Sequence, residues 1–104
     1  ANVNWHGHNF NLHVTVKGVP SEVTGFVIDL KVLSALIRER VTEKLDHKNL
    51  NLDVDFMKGI MPSTENLAMK IWDQLEKPIL SHGCALHSVK LFETENNYVE
   101  YLGA

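Results

Sequence analysis

The sequence predicts an α+β fold in which two helices cover one face of an antiparallel, four-stranded sheet. Three observations carry this expectation. The patterns run strand, strand, helix, helix, strand, strand, and strands grouped around helices favour this layering. Residues 8–17 alternate strictly between apolar and polar, the signature of a half-buried strand. Two later stretches carry apolar residues at helical spacing, each behind a capping residue. With 104 residues the chain can bury one core, so residues 1–104 are expected to form a single domain.

Asn2 to Asn4 is polar and reads as loop, and one strand is expected over Trp5–Lys17. Its even positions from His8 are His8, Phe10, Leu12, Val14 and Val16; its odd positions are Asn9, Asn11, His13, Thr15 and Lys17. Gly18-Val19-Pro20-Ser21 breaks the strand, Thr24-Gly25 closes the excursion, and Phe26, Val27 and Ile28 read as a returning strand. Asp29 sits at a helix N-cap position, with Leu33, Leu36, Ile37 and Val41 on one helical face behind it. That helix is expected over Leu30–Lys44. The stretch from Leu45 to Met61 reads as loop. Pro62-Ser63-Thr64-Glu65 is a second helix start, followed by Leu67, Ala68, Ile71, Trp72 and Leu75, and Pro78 is expected to stop the helix near Lys77. Strands are expected over Ala85–Thr94 and Tyr98–Leu102, joined at Glu95-Asn96-Asn97.

Composition excludes several classes. Apolar residues make up 44% and charged residues 22%, as in ordinary globular chains. The formal charge of −3 gives no basic footprint for nucleic acid. No apolar run reaches the length of a membrane span, and no signal-peptide pattern is present. One cysteine, Cys84, forbids an internal disulfide and fits a reducing, cytoplasmic compartment. The sequence opens at Ala1, without Met, a few residues ahead of a strand, which raises the expectation of a further N-terminal segment.

Four groups of residues could carry chemistry. His6 and His8, at i and i+2 on a strand, point the same way and can share a metal ion, and zinc suits imidazole ligands. A catalytic zinc keeps three protein ligands, so two histidines do not finish a site; they equally fit strand histidines that only hydrogen-bond. Asp46-His47 reads either as a solvated loop pair or as a carboxylate tuning an imidazole for proton transfer. Glu93 ends the apolar face of Val89 and Leu91. It either meets solvent at the rim or is kept buried for a ligand, where an edge with two N–H donors would supply both of its hydrogen bonds. Ser63, Thr64 and Glu65 are explained by capping alone, though helix N-termini also offer N–H groups to ligands. Cys84 has no evident activating partner, His13 has the wrong parity to join His6 and His8, and His82 and His87 have no supporting pattern.

Taken in order, these signals resemble one family. HGHNFNLHVTVKG, TGFVIDLKVL, LDHKNLNLD, PSTENLA with IW, and VKLFETENNYVEY are similar to the 6-pyruvoyl-tetrahydropterin synthase and 6-carboxytetrahydropterin synthase family, which has the tunnelling fold. The resemblance covers nearly the whole chain. It implies that His6 and His8 are two of three Zn2+ ligands. Asp46 and His47 would belong to a catalytic triad with a cysteine, and Glu93 would anchor the pterin ring through its amide and amino N–H groups. Ser63, Thr64 and Glu65 would line the pterin pocket. It also implies trimers stacked as a hexamer, with sites between subunits, so that Asp46 and His47 would serve a neighbour's zinc.

Two departures stand out. The family's third zinc histidine lies on an earlier strand, and its catalytic cysteine precedes the H-G-H motif; this sequence contains neither, and Cys84 does not match. The resulting expectation is a first strand partly or wholly ahead of Ala1; a chain complete as given would have a broken zinc site and little activity. The activity implied is conversion of 7,8-dihydroneopterin triphosphate to 6-pyruvoyl-tetrahydropterin. The alternatives are the 6-carboxy outcome of the queuosine and deazaguanine route, with acetaldehyde released, and a non-catalytic pterin-binding protein of the same fold. A cyclohydrolase or aldolase of this fold does not account for the combined motifs.

Overall fold

The computed structural model describes residues 2–6, 11–45 and 63–103. Strands β1 (Asn2–His6), β2 (Asn11–Lys17), β3 (Ala85–Phe92) and β4 (Tyr98–Tyr101) form one antiparallel sheet in the order β1-β2-β3-β4. The expected α+β architecture with four strands is what forms. Leu12, Val14 and Val16 of β2 meet Leu86, Val89 and Leu91 of β3 on the covered face. Helices supply the other half of this core through Leu33, Ile37, Val41, Leu67, Ile71, Leu75 and Ile79.

The first strand differs from expectation. Residues 2–6 and 11–17 are two strands, paired antiparallel with His6 opposite Asn11 and Trp5 opposite Leu12. The chain therefore reverses where one continuous strand was expected, and Asn2 to Asn4 are strand, not loop. The alternation of β1, Val3 and Trp5 against Asn2, Asn4 and His6, spans only five residues, too short a run to stand out in the sequence.

Phe26–Ile28 does not return as a strand. The loop closes on itself instead. Ser21 Oγ accepts from the N–H groups of Val23 and Thr24 at 3.1 and 3.3 Å, and Ser21 N–H donates to Phe26 O at 2.8 Å. Three residues are too few to pair before Asp29 caps the helix. Its side chain accepts from Lys31 N–H at 2.8 Å.

Residues 30–45 are helical, as expected, but not uniformly so. Helix α1 (Leu30–Ile37) gives way to a π-helical turn over Arg38–Thr42 and returns to α geometry in α2 (Glu43–Leu45). Helix α3 (Thr64–Leu80) runs a turn longer than Pro78 predicted. Pro78 forfeits one backbone hydrogen bond, a cost of up to about 3 kcal/mol in a helix interior. Ile79 beyond it is fully buried, which contributes roughly 1.5–3 kcal/mol and extends the Leu67–Ile71–Leu75 face by one more step. Ser81 closes the end, its hydroxyl donating to Pro78 O at 2.6 Å and its N–H to Lys77 O at 3.0 Å.

Strand β3 carries a bulge: Thr15 pairs with Ser88 while Val16 pairs with Leu86, leaving His87 without a counterpart on β2. The bulge lets Leu86, Val89 and Leu91 all reach the core. Trp72 of α3 meets Tyr101 of β4 edge to face, with centroids 5.5 Å apart. Gly103, at φ 92, crosses the Trp72 ring where a Cβ would come within 2.6 Å of Cζ2. No helix among the described residues is long and apolar enough to cross a membrane.

Candidate functional site

The site grows from the N-terminus of α3. Ser63 takes extended backbone geometry and its Oγ accepts from Asn66 N–H at 3.1 Å, while Leu67 N–H bonds to Ser63 O at 2.9 Å. That capping fixes Thr64 as the first helical residue, buried against the sheet. The Thr64 hydroxyl donates to Glu93 Oε1, joining the helix start to a residue 29 positions later. Glu65 is exposed in the first turn, where a negative charge complements the helix dipole.

Glu93 follows directly on β3 and is exposed. Its position is nevertheless determined. Its N–H donates to Asn97 O at 2.9 Å, which continues the β3–β4 ladder by one bond. Thr94 Oγ1 accepts from Asn97 N–H at 3.2 Å and Asn96 N–H at 3.4 Å, holding the turn. The rim reading is the one the structure bears out: Glu93 is exposed, not kept buried, and the Thr64 hydroxyl orients it there. Oε1 is engaged by Thr64, and an exposed carboxylate so oriented can accept paired N–H donors. First-turn N–H groups of α3 have no partner four residues earlier and can meet an acceptor on the same ligand.

Of the two metal candidates, His6 stands at the same end of the sheet. His6 closes β1 opposite Asn11, Asn11 is opposite Phe92, and Phe92 is opposite Tyr98. His6 and Glu93 thus stand at the same sheet end with β2 between their strands, and Glu93 meets the start of α3. His8, Asp46 and His47 lie outside the described residues. Asp46 follows α2 by one position. Among the described residues no group of three or more His, Cys, Asp or Glu side chains converges on one point.

Cys84 is buried at 5% exposure, and burial raises its thiol pKa. Its S–H points to Ile79 O at 3.6 Å. A thiol kept protonated is a poor nucleophile, as the sequence suggested. His82 and His87 are exposed. His13 lies on the helix-free sheet face, its ring 5.1 Å from Phe92, and Phe92 is 5.0 Å from Tyr98 with Lys90 Nζ 4.3 Å above the Tyr98 ring. Sequence reasoning missed the Thr64–Glu93 bond, since nothing local links residues so far apart.

A sequence profile described as 6-pyruvoyl tetrahydropterin synthase matches residues 1–104. The 6-pyruvoyl tetrahydrobiopterin synthase of Dictyostelium discoideum is 46% identical over 101 residues, which cover 97% of this chain and 73% of that protein. A putative 6-carboxy-5,6,7,8-tetrahydropterin synthase of Archaeoglobus fulgidus is 30% identical over 95 residues, covering 91% of this chain and 73% of the relative. Among solved structures, the 6-pyruvoyl tetrahydropterin synthase of Caenorhabditis elegans superposes with a TM-score of 0.82 at 30% identity, over 95% of this chain and 69% of that one.

Proposed function

The chain belongs to the 6-pyruvoyl tetrahydropterin synthase family, and on that premise we propose that it is a zinc-dependent synthase converting 7,8-dihydroneopterin triphosphate to 6-pyruvoyl-tetrahydropterin with loss of triphosphate. The observation that carries this reading is the Glu93 carboxylate held by Thr64 at the start of α3. A pterin presents two adjacent N–H donors on its pyrimidine edge, and a fixed carboxylate pairs with both. The capped helix start formed by Ser63, Thr64 and Glu65 lines the same pocket, with its first-turn N–H groups facing the ring's acceptors.

His6 and His8 supply two imidazoles, a donor set that suits zinc in kind and is one short of a catalytic site's three. Bound there, zinc would supply Lewis acidity toward the substrate's side-chain hydroxyls. Asp46 and His47 move protons between the ring edge and the side chain, the carboxylate orienting the imidazole and holding its charge. The active assembly is a hexamer of stacked trimers in a reducing, cytoplasmic compartment, with sites shared between neighbouring copies.

The alternative is the 6-carboxy product, favoured by the archaeal relative; the higher identity of the pyruvoyl relative, 46% against 30%, supports the first reading. Mass spectrometry of the reaction on dihydroneopterin triphosphate decides between them. The pyruvoyl product with released triphosphate is expected; released acetaldehyde selects the carboxy type, and no turnover selects a pterin-binding protein. Zinc content measured alongside should be lost in His6→Ala, and a full complement in that variant rejects the ligand assignment.

A further inference from the structure

The Glu93 carboxylate is exposed, yet the residue is fixed at both its head and its backbone. The Thr64 hydroxyl fixes the head by donating to Oε1. The turn that follows fixes the backbone. The β3–β4 register ends at Phe92 opposite Tyr98, so Glu93 stands one residue beyond the last strand pair. There Asn97 O accepts from Glu93 N–H at 2.9 Å and from Thr94 N–H at 3.4 Å.

One side chain aims Asn97. Thr94 Oγ1 accepts from Asn96 N–H at 3.4 Å and from Asn97 N–H at 3.2 Å. A hydroxyl that takes the N–H groups two and three residues on substitutes for a backbone turn. Asn97 is thereby held through both of its peptide groups, its N–H by the Thr94 hydroxyl and its carbonyl by Glu93 N–H. The hairpin itself does not need this hydroxyl. Phe92 and Tyr98 pack with centroids 5.0 Å apart, Lys90 Nζ lies 4.3 Å above the Tyr98 ring, and Leu91 pairs with Val99. Thr94 is exposed and stands outside the core. Its bonds act beyond the last strand pair, and the chemically distinctive group there is Glu93.

A glutamate side chain loses much rotamer freedom when a ligand orders it. Ordering it beforehand removes that cost from binding. A carboxylate that must meet two N–H donors at once also tolerates only about 0.5 Å of misplacement. We propose that Thr94 is a positioning residue for ligand recognition: its hydroxyl holds the turn that sets the Glu93 backbone, so that the carboxylate is already in place for the N–H edge of a pterin. This rests on the pterin-anchoring role given above to Glu93.

The test is a double-mutant cycle on the full-length protein, with 7,8-dihydroneopterin as the calorimetric probe. Thr94→Val should raise Kd by about three- to fivefold. Thr94→Ser keeps the acceptor and should stay within about twofold of the native value. In a Glu93→Gln background Thr94→Val should add less than about twofold, because the charge it positions is gone. With dihydroneopterin triphosphate, Thr94→Val should raise KM by the same factor and leave kcat within about twofold, since the pyrimidine edge is remote from the reacting side chain. An unchanged Kd in Thr94→Val overturns the proposal. So does an equal loss in the Glu93→Gln background, which would mean a general effect on the fold. Weakened binding in Thr94→Ser, or a fall in kcat at constant KM, overturns it as well. Thr94→Ala, which also removes the acceptor, replaces Thr94→Val if that variant does not fold. The binding measurements decide even in a protein without turnover. If Glu93→Gln alone leaves Kd unchanged, the pterin-anchoring role falls and the Thr94 role with it; weakening by Glu93→Gln with none by Thr94→Val removes the Thr94 role alone.

Discussion

On the function proposed above, the Thr64–Glu93 bond would place pterin recognition on two residues 29 positions apart. A hydrogen bond to a charged group contributes about 1.5–3 kcal/mol. Glu93→Gln keeps the shape and can still accept from Thr64, yet loses the charge and one acceptor. Pterin affinity, measured by calorimetry, should fall by about tenfold or more; an unchanged Kd removes Glu93 from the site. Thr64→Val removes the donor that orients the carboxylate and should weaken binding by about fivefold. The residue types at this site were legible: a carboxylate ending an apolar strand face and a capped helix start each stood out. Their partnership was not, because a side-chain bond across 29 positions depends on how α3 lies against β3 and leaves no local pattern.

Element boundaries followed local chemistry wherever a single side chain decides them. Asp29 and Ser63 both cap helices as their sequence contexts indicated. Boundaries decided by tertiary burial were not legible. Pro78 reads as a stop, and only the core contact of Ile79 carries α3 through it. Ile79→Ala should therefore cost about 2–5 kcal/mol in urea unfolding, and a loss below about 1 kcal/mol would mean that the core does not hold the last turn. The hairpin of β1 and β2 was hidden for a different reason. Strand β1 does alternate, Val3 and Trp5 against Asn2, Asn4 and His6, but over five residues only and at odd positions, whereas Leu12, Val14 and Val16 of β2 are even. The π-turn was hidden because Leu33, Ile37 and Val41 already satisfy helical spacing, so the extra residue shows only in the burial of Thr42.

For the whole molecule, the sheet presents one face to the helices and leaves the other uncovered among the described residues. Asn11, His13, Thr15, Lys90 and Phe92 are half-buried there, and Tyr98 and Glu100 are exposed. The sheet ends in β1 on one side and the four-residue β4 on the other. Edges of this kind accept further strands. For the hexamer proposed above, equilibrium sedimentation should give a mass six times that of the protomer; a monomer at micromolar concentration would reject the hexamer and, with it, sites shared between copies.

The buried thiol between α3 and β3 has a consequence in time as well as in space. Cys84 is the sole cysteine of the chain, shielded and held protonated. A disulfide reagent can reach it only in the moments when the helix end parts from the strand. The rate of its modification, divided by that of an open thiol, counts those moments directly. The native sequence thus contains its own clock for the breathing of the element that carries Thr64, and pterin binding at the far end of that helix should slow it.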